Sequence, residues 1–328
     1  LFCESCGAAL DPAAAIADDA DPVAPMPVPV ADRDAAAVCP SCGGTVFEDG
    51  FCSTCGARRP TWRDRYTETP TDWLAGVCDR GIVHARNEDA MALAAVGERA
   101  VLVVCDGVTS APDSDRASLA GARAACAVLS TAAAAPDGTA GAVEHWTAQL
   151  VQACAAANRE AVAIAHVLGD PREPPSSTFV AAVADDDLIV TAWCGDSRAY
   201  WLGDDGRAEQ LTVDHSLGTQ MVAAGRSRAE AEADPTSHTI TRWLGADSVD
   251  ATPECRSLQI TGAGWLLVCS DGLWNYASDG AELAALAASA PDRSPLAVAG
   301  RLVEHANAGG GQDNITVVVA RLGRDAVA

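Results

Sequence analysis

The chain has 328 residues, 49% of them hydrophobic, enough for one sizeable core plus a smaller module. Its formal net charge of −23 argues against a nucleic-acid or anionic-membrane surface, since either partner requires clustered positive charge to displace counterions. No run of 18 or more residues is continuously apolar, and the N-terminus lacks the charged and apolar regions of a secretory signal, so a cytoplasmic protein is expected.

In chain order, residues 1–10 carry Phe2-Cys3-Glu4-Ser5-Cys6-Gly7-Ala8, which repeats Phe51-Cys52-Ser53-Thr54-Cys55-Gly56-Ala57 almost residue for residue. Cys3 and Cys6 therefore read as half of a second zinc site whose other half lies upstream of Leu1; the alternative is two unpaired thiols. Residues 11–37, rich in Ala, Pro and Asp without helical or alternating period, are expected to be a flexible linker. Over 38–60, Cys39-Pro40-Ser41-Cys42 and Cys52-Ser53-Thr54-Cys55 stand nine residues apart and predict a zinc ribbon. Four thiolates at that spacing suit one tetrahedral Zn²⁺ in a closed, structural site, and a reducing cytosol favours zinc over disulfides. Its few basic residues (Arg33, Arg58, Arg59) favour a structural or protein-contact role. Residues 61–70 read as a second, shorter linker, and the main domain is expected over 71–324.

In that domain, apolar runs predict strands near 74–79, 91–95, 100–105, 178–184, 188–194, 198–202, 264–269 and 314–321, with helices near 115–132, 143–168, 281–289 and 294–308. Several runs end in a carboxylate. Val101–Cys105 leads to Asp106-Gly107, Leu188–Cys194 to Gly195-Asp196-Ser197-Arg198, Trp265–Ser270 to Asp271-Gly272, and Asp313-Asn314 opens the last strand. One Asp-Gly after an apolar run is usually a turn. Four such elements in order, preceded by Arg86-Asn87-Glu88-Asp89, can converge the oxygens that hard divalent cations need. Cys105, Cys194 and Cys269 sit inside apolar runs and read as buried small hydrophobes, not nucleophiles.

Together with Ser176-Ser177-Thr178 and Asp214-His215-Ser216, these motifs resemble bacterial members of the metal-dependent serine/threonine protein phosphatases of the protein phosphatase 2C type, over about 250 residues. The resemblance implies an α+β fold, a four-layer α-β-β-α sandwich of two antiparallel sheets flanked by helices. It also implies two Mn²⁺ or Mg²⁺ ions. Glu88 would bind one, Asp106 would bridge both, the Gly107 carbonyl would bind one, and Asp271 and Asp313 would each supply a carboxylate. Asp89 would hold metal-bound water, and Asp196 would serve a looser third ion. Such a pair lowers the pKa of a bridging water, so that hydroxide attacks phosphorus in line. The implied substrates are phosphorylated proteins, with a serine/threonine protein kinase of the same cell as a plausible partner.

The chain departs from the family pattern at three places. His84 stands where an arginine usually grips phosphate, Val108-Thr109-Ser110 replaces a stretch with His or Met and two glycines, and Asn275 replaces an aspartate of the third metal. The first two motivate an alternative, a catalytically weak phosphatase-like domain that binds a phosphoprotein. A structural or nucleic-acid-binding zinc protein finds support only in the ribbon. If 82–88 is extended, period-two alternation puts His84, Arg86 and Glu88 on one face, so Arg86 is expected to supply the missing guanidinium. The alternative is that His84 alone contacts phosphate while Arg86 pairs with a surface carboxylate.

Overall fold

The structure is a computed structural model that describes residues 38–39, 41–45, 47–108, 111–169, 172–227, 230–231 and 233–323. The Cys3/Cys6 half-site, the linker expected over 11–37, and Thr109-Ser110 lie outside these residues. The chain divides into two compact units, Leu1–Pro60 and Thr61–Ala328. In the first, β1 (Phe47–Glu48) and β2 (Phe51–Cys52) form a hairpin with Glu48 opposite Phe51, closed by Asp49-Gly50, a pair that tight hairpin turns favour.

The second unit opens with β3 (Arg65–Thr71), β4 (Leu74–Asp79), β5 (Ala90–Val96), β6 (Arg99–Cys105), α1 (Ser114–Thr131) and α2 (Thr139–Val167). Next come β7 (Ser176–Ser177), β8 (Phe179–Asp185), β9 (Leu188–Cys194), β10 (Arg198–Gly203), β11 (Ala208–Gln210) and α3 (Leu217–Ala223). Then follow β12 (Leu244–Gly245), β13 (Glu254–Gln259), β14 (Gly264–Cys269), α4 (Asp271–Trp274), α5 (Gly280–Ala288), α6 (Pro295–Ala308) and β15 (Ile315–Leu322). Apart from the short antiparallel pair β7–β12, these strands assemble into two antiparallel sheets, ordered β11-β10-β14-β15-β4-β3 and β13-β9-β8-β6-β5.

Alternation of side chains gives each central strand two apolar faces. Leu102 and Val104 of β6 meet Leu266 and Val268 of β14 between the sheets. Val101, Val103 and Cys105 instead pack under α1 and α2 against Leu129, Trp146 and Leu150. On the other side Leu267 and Cys269 of β14 lie under α5 and α6 with Leu283 and Leu302. The result is the α-β-β-α order, with strands that read as unbroken apolar runs because both faces are covered. Each fully buried Leu contributes roughly 1.5–3 kcal/mol. Cys194 and Cys269 are core residues whose thiols burial pushes up to about 12, so neither is poised as a nucleophile. No helix among the described residues is long and apolar enough to cross a membrane.

The stretch expected as a linker over 61–70 is corrected by β3, which pairs with β4 at the edge of the six-stranded sheet. Its sequence hides this because Tyr66 is the one buried residue along it. The Tyr66 hydroxyl accepts the Met91 N–H (3.1 Å) and Glu68 Oε2 accepts the Leu93 N–H (3.0 Å), so β3 is stitched to β5 of the opposite sheet through side chains. The edge strand β13 escaped notice for the same reason: one of its faces is solvated.

Candidate metal centre

Strand register assembles the carboxylates. Ala90 of β5 lies opposite Cys105 of β6, which sets Asp89 beside Asp106 at the same end of the sheet. In the other sheet Cys269 lies opposite Val317, bringing Ser270 and Asp271 to the start of β15, where Asp313 and Asn314 enter. Asp106 is anchored across to β8: its N–H donates to Thr178 Oγ1 (3.1 Å) and its carbonyl accepts the Thr178 N–H (2.8 Å). Two glycines permit the approach. A Cβ on Gly107 would stand 2.6 Å from the Glu88 carbonyl oxygen, and one on Gly272 would stand 1.9 Å from that of Asn314. Any side chain at either position would drive two carboxylate-bearing segments apart.

The electrostatics of the cluster are unbalanced. Burial, then the charges of Asp89, Asp271, Asp313 and Asp196, push the Asp106 carboxyl well above the usual carboxylate range. Burial, then Asp196, Asp313 and Asp89, do the same to Asp271. Asp89 rises to about 6 through burial, and Asp196 to about 7 through burial and Asp214. The Asp106 carboxyl neighbours both Asp89 and Asp271. Oδ1 of Asp89 and Oδ1 of Asp271 are nevertheless buried with no hydrogen-bond donor. Buried carboxylates that repel one another and retain unsatisfied oxygens are the donor set of a hard divalent cation, so the residues fit Mg²⁺ or Mn²⁺.

Neighbouring groups fix the donors. Ser270 Oγ and Thr316 Oγ1 each donate to Asp89 Oδ2 at 2.7 Å, which leaves Oδ1 for the cluster. The Glu88 N–H donates to Asn314 Oδ1 (2.7 Å), and Ser118 Oγ donates to the Glu88 carbonyl. Asn275 Nδ2 donates to Asp271 Oδ2 (3.2 Å) from the place of the family's further aspartate. Arg198 is committed to a two-pronged pair with Asp214 (2.8 and 2.6 Å) and lies over the Trp274 ring, so it is a structural clamp. The roles of Thr316, Ser118 and Asn314 escaped the sequence reading, although a lone polar Thr316 inside the apolar run Ile315–Ala320 was a visible signal.

The segment 82–88 is not a regular extended strand, because bends at 82–83 and 85–86 interrupt it. Even so, Arg86 Nη2 reaches Glu88 Oε1 at 3.3 Å, while His84 Nε2 faces Asp313 Oδ1 at 3.4 Å. Both candidate phosphate ligands therefore border the cluster. Arg86 is the more exposed, 58% against 24% for the His84 side chain, although its guanidinium is paired with Glu88.

In the first unit the thiols of Cys39, Cys42, Cys52 and Cys55 all lie within 4.8 Å of one another. The two knuckles repeat one backbone pattern: Gly43 N–H bonds to the Cys39 carbonyl and Gly56 N–H to that of Cys52, both at 2.8 Å. Backbone N–H groups of Cys55 and Thr54 bring the Cys52 thiol down to about 6, toward the thiolate that a metal requires.

The family model described as protein phosphatase 2C matches residues 82–293. The serine/threonine phosphatase stp of Listeria innocua is 31% identical over 258 residues, covering 76% of this chain and 97% of that protein. Serine/threonine protein phosphatase PstP of Mycobacterium tuberculosis is 34% identical over 243 residues, 74% of this chain but only 43% of that longer protein. Among solved structures, the M. tuberculosis phosphatase PstP/Ppp superposes with a TM-score of 0.64 at 31% identity, covering 76% of this chain and 98% of that one. A catalytic domain of PstP in complex with two manganese ions gives 0.59 at 28% identity, covering 76% and 97%. Motif order, sheet architecture and these matches agree, and the chain belongs to the protein phosphatase 2C family of serine/threonine phosphatases.

Proposed function

We propose that the chain hydrolyses phosphoserine and phosphothreonine esters of proteins at the carboxylate cluster, with water as phosphoryl acceptor. The observation that carries this is the pair of buried, donorless oxygens on Asp89 and Asp271 among mutually repelling carboxylates. Glu88, Asp106, the Gly107 carbonyl, Asp271 and Asp313 would hold two ions, Mn²⁺ or Mg²⁺, and Asp196 a weaker third. Such ions lower the pKa of water and neutralise phosphoryl oxygens. Asp89, with Oδ2 tied by two hydroxyls, presents Oδ1 to orient the attacking water and accept its proton. Arg86 grips the substrate phosphate from the Glu88 side, where a planar guanidinium fork matches phosphate oxygens. With Val108 where some relatives have histidine, the leaving oxygen takes its proton from water. The amide of Asn275 in place of a carboxylate lowers the charge available to a third ion.

Cys39, Cys42, Cys52 and Cys55 hold one structural Zn²⁺ in this reading. The setting is the cytoplasm, and the partners are phosphorylated proteins, among them a serine/threonine kinase of the same cell. Phosphate release from phosphothreonine peptides, with Mn²⁺ and after EDTA, tests the proposal. Activity that survives EDTA, or Asp106→Ala at the wild-type rate, sinks it. Peptide binding without release would instead support the phosphoprotein-binding alternative.

A further inference from the structure

Residues 80–89 carry the first carboxylate motif without a helix or strand of their own, so bonds from outside must set their backbone. Asn314 supplies some: its Nδ2 donates to the carbonyls of Arg80 (2.8 Å) and Arg86 (3.0 Å). Others come from Ser118 at the Glu88 carbonyl, from the Gly311 carbonyl, which accepts the Ile82 and Val83 N–H groups (2.8 and 3.1 Å), and from the turn that enters β3. Arg63 Nη2 donates to the carbonyl oxygens of Asp89 (2.8 Å), Asn87 (3.1 Å) and, in the first turn of α1, Asp115 (3.3 Å). Asn87 Nδ2 returns a bond to the Arg63 carbonyl (2.9 Å), which closes a reciprocal clamp. The guanidinium also lies over the rings of Trp62 (5.6 Å) and Tyr66 (5.8 Å). The turn is itself held in place. Thr61 N–H and Oγ1 donate to the Asp64 carboxylate, both at 3.1 Å, and the Asp64 carbonyl accepts the Arg80 N–H at 2.8 Å.

The geometry points to Arg63 as a positioning residue of the metal centre, an inference that rests on the proposed roles of Glu88 as metal ligand and Asp89 as the group that orients the attacking water. The Asn87 carbonyl lies in the peptide plane that leads into Glu88 and the Asp89 carbonyl in the plane that leaves Asp89, so Arg63 brackets the Glu88-Asp89 pair, while Ser118 Oγ holds the plane between them at the Glu88 carbonyl. All three carbonyls face one guanidinium nitrogen, whose two N–H groups are shared among them; a lysine ends about one bond short of that nitrogen and has no flat face to lie over Trp62 and Tyr66.

The test uses the full chain as wild type, Arg63→Ala, Arg63→Lys and Asp106→Ala. Mn²⁺ binding is read by titration calorimetry, backbone protection of residues 86–90 by hydrogen exchange, and turnover on a phosphothreonine peptide. Groups that orient metal ligands typically cost about 10–100-fold in metal affinity when removed, and Arg63→Ala is expected in that range with the peptide KM at saturating Mn²⁺ unchanged. Exchange at 86–90 should quicken in the metal-free protein, and added guanidinium ion, below denaturing concentration, should restore Mn²⁺ affinity in Arg63→Ala only. Wild-type Mn²⁺ affinity in Arg63→Ala, or unchanged exchange, overturns the inference. If Arg63→Ala does not fold, wild-type Mn²⁺ affinity in Arg63→Lys overturns it and weakened affinity supports it. Asp106→Ala separates the two levels, since its retention of Mn²⁺ binding and turnover would reject the proposed site itself.

Discussion

Thr316→Val is the sharpest probe of how Asp89 is held. The substitution keeps the shape of a fully buried side chain in β15 and removes one of two hydroxyls that donate to Asp89 Oδ2 at 2.7 Å. A hydrogen bond to a charged acceptor contributes about 1.5–3 kcal/mol, and each 1.4 kcal/mol is tenfold in rate, so kcat should fall roughly ten- to hundred-fold. The sign of the pH effect follows from what holds the carboxyl. Burial raises Asp89 to about 6, while the bonds from Ser270 and Thr316 pull it down. Removing one donor moves the carboxyl further up, so the acid limb of the rate profile shifts to higher pH and activity is lost earlier on acidification. The assay is kcat and KM on a phosphothreonine peptide from pH 5 to 9 at saturating Mn²⁺, with Thr316→Ser as the variant that retains the hydroxyl. Wild-type kcat and an unmoved acid limb in Thr316→Val, or equal losses in Thr316→Ser, would refute the assignment of Asp89 as a proton-handling group fixed by Thr316.

Asp89 at about 6 and Asp196 at about 7 lie above the unfolded carboxylate value of about 3.9, so the metal-free native chain binds the extra protons between these limits. Its Tm should therefore fall as pH rises from about 4 through 7, and Mn²⁺ should reverse the loss; a metal-free Tm that climbs over that range contradicts the cluster electrostatics. A chain beginning at Thr61 should keep peptide phosphatase activity, whereas one beginning at Thr71 loses nearly all of β3 and should show a lower Tm and rate. Metal analysis of the intact protein should find about one zinc per complete ribbon, released on thiol modification without loss of kcat. At pH 8 Arg86→Ala should raise the phosphopeptide KM more than His84→Ala does, and the reverse order, fading as pH rises, would hand the phosphate to His84.

What was legible in the sequence divides along burial. β6, β8, β9, β14 and β15 stood out because helices cover the outer face of each sheet, so inward and outward residues are both apolar. The edge strands β3 and β13 carry polar residues on a solvated face and read as linker or loop until Tyr66, paired across to Met91, reveals the packing. The carboxylates were legible for a related reason. Each ends or precedes an apolar run, and a buried strand has few other ways to present a charge than at its tip.

The fixing groups could not be read this way, because they are defined by register between strands distant in sequence. Thr316 faces Cys78 across β15 and β4, and its N–H bonds to Ser270 Oγ (3.0 Å) from the end of β14, so three strands meet around one carboxylate. A shift of one residue in any of these pairings would turn Thr316 or its neighbours to the opposite face of the sheet. Asp89 would then keep its place in the motif but lose both of its donors. The motif therefore names the atoms that can hold a cation, and the antiparallel register decides whether they point at one.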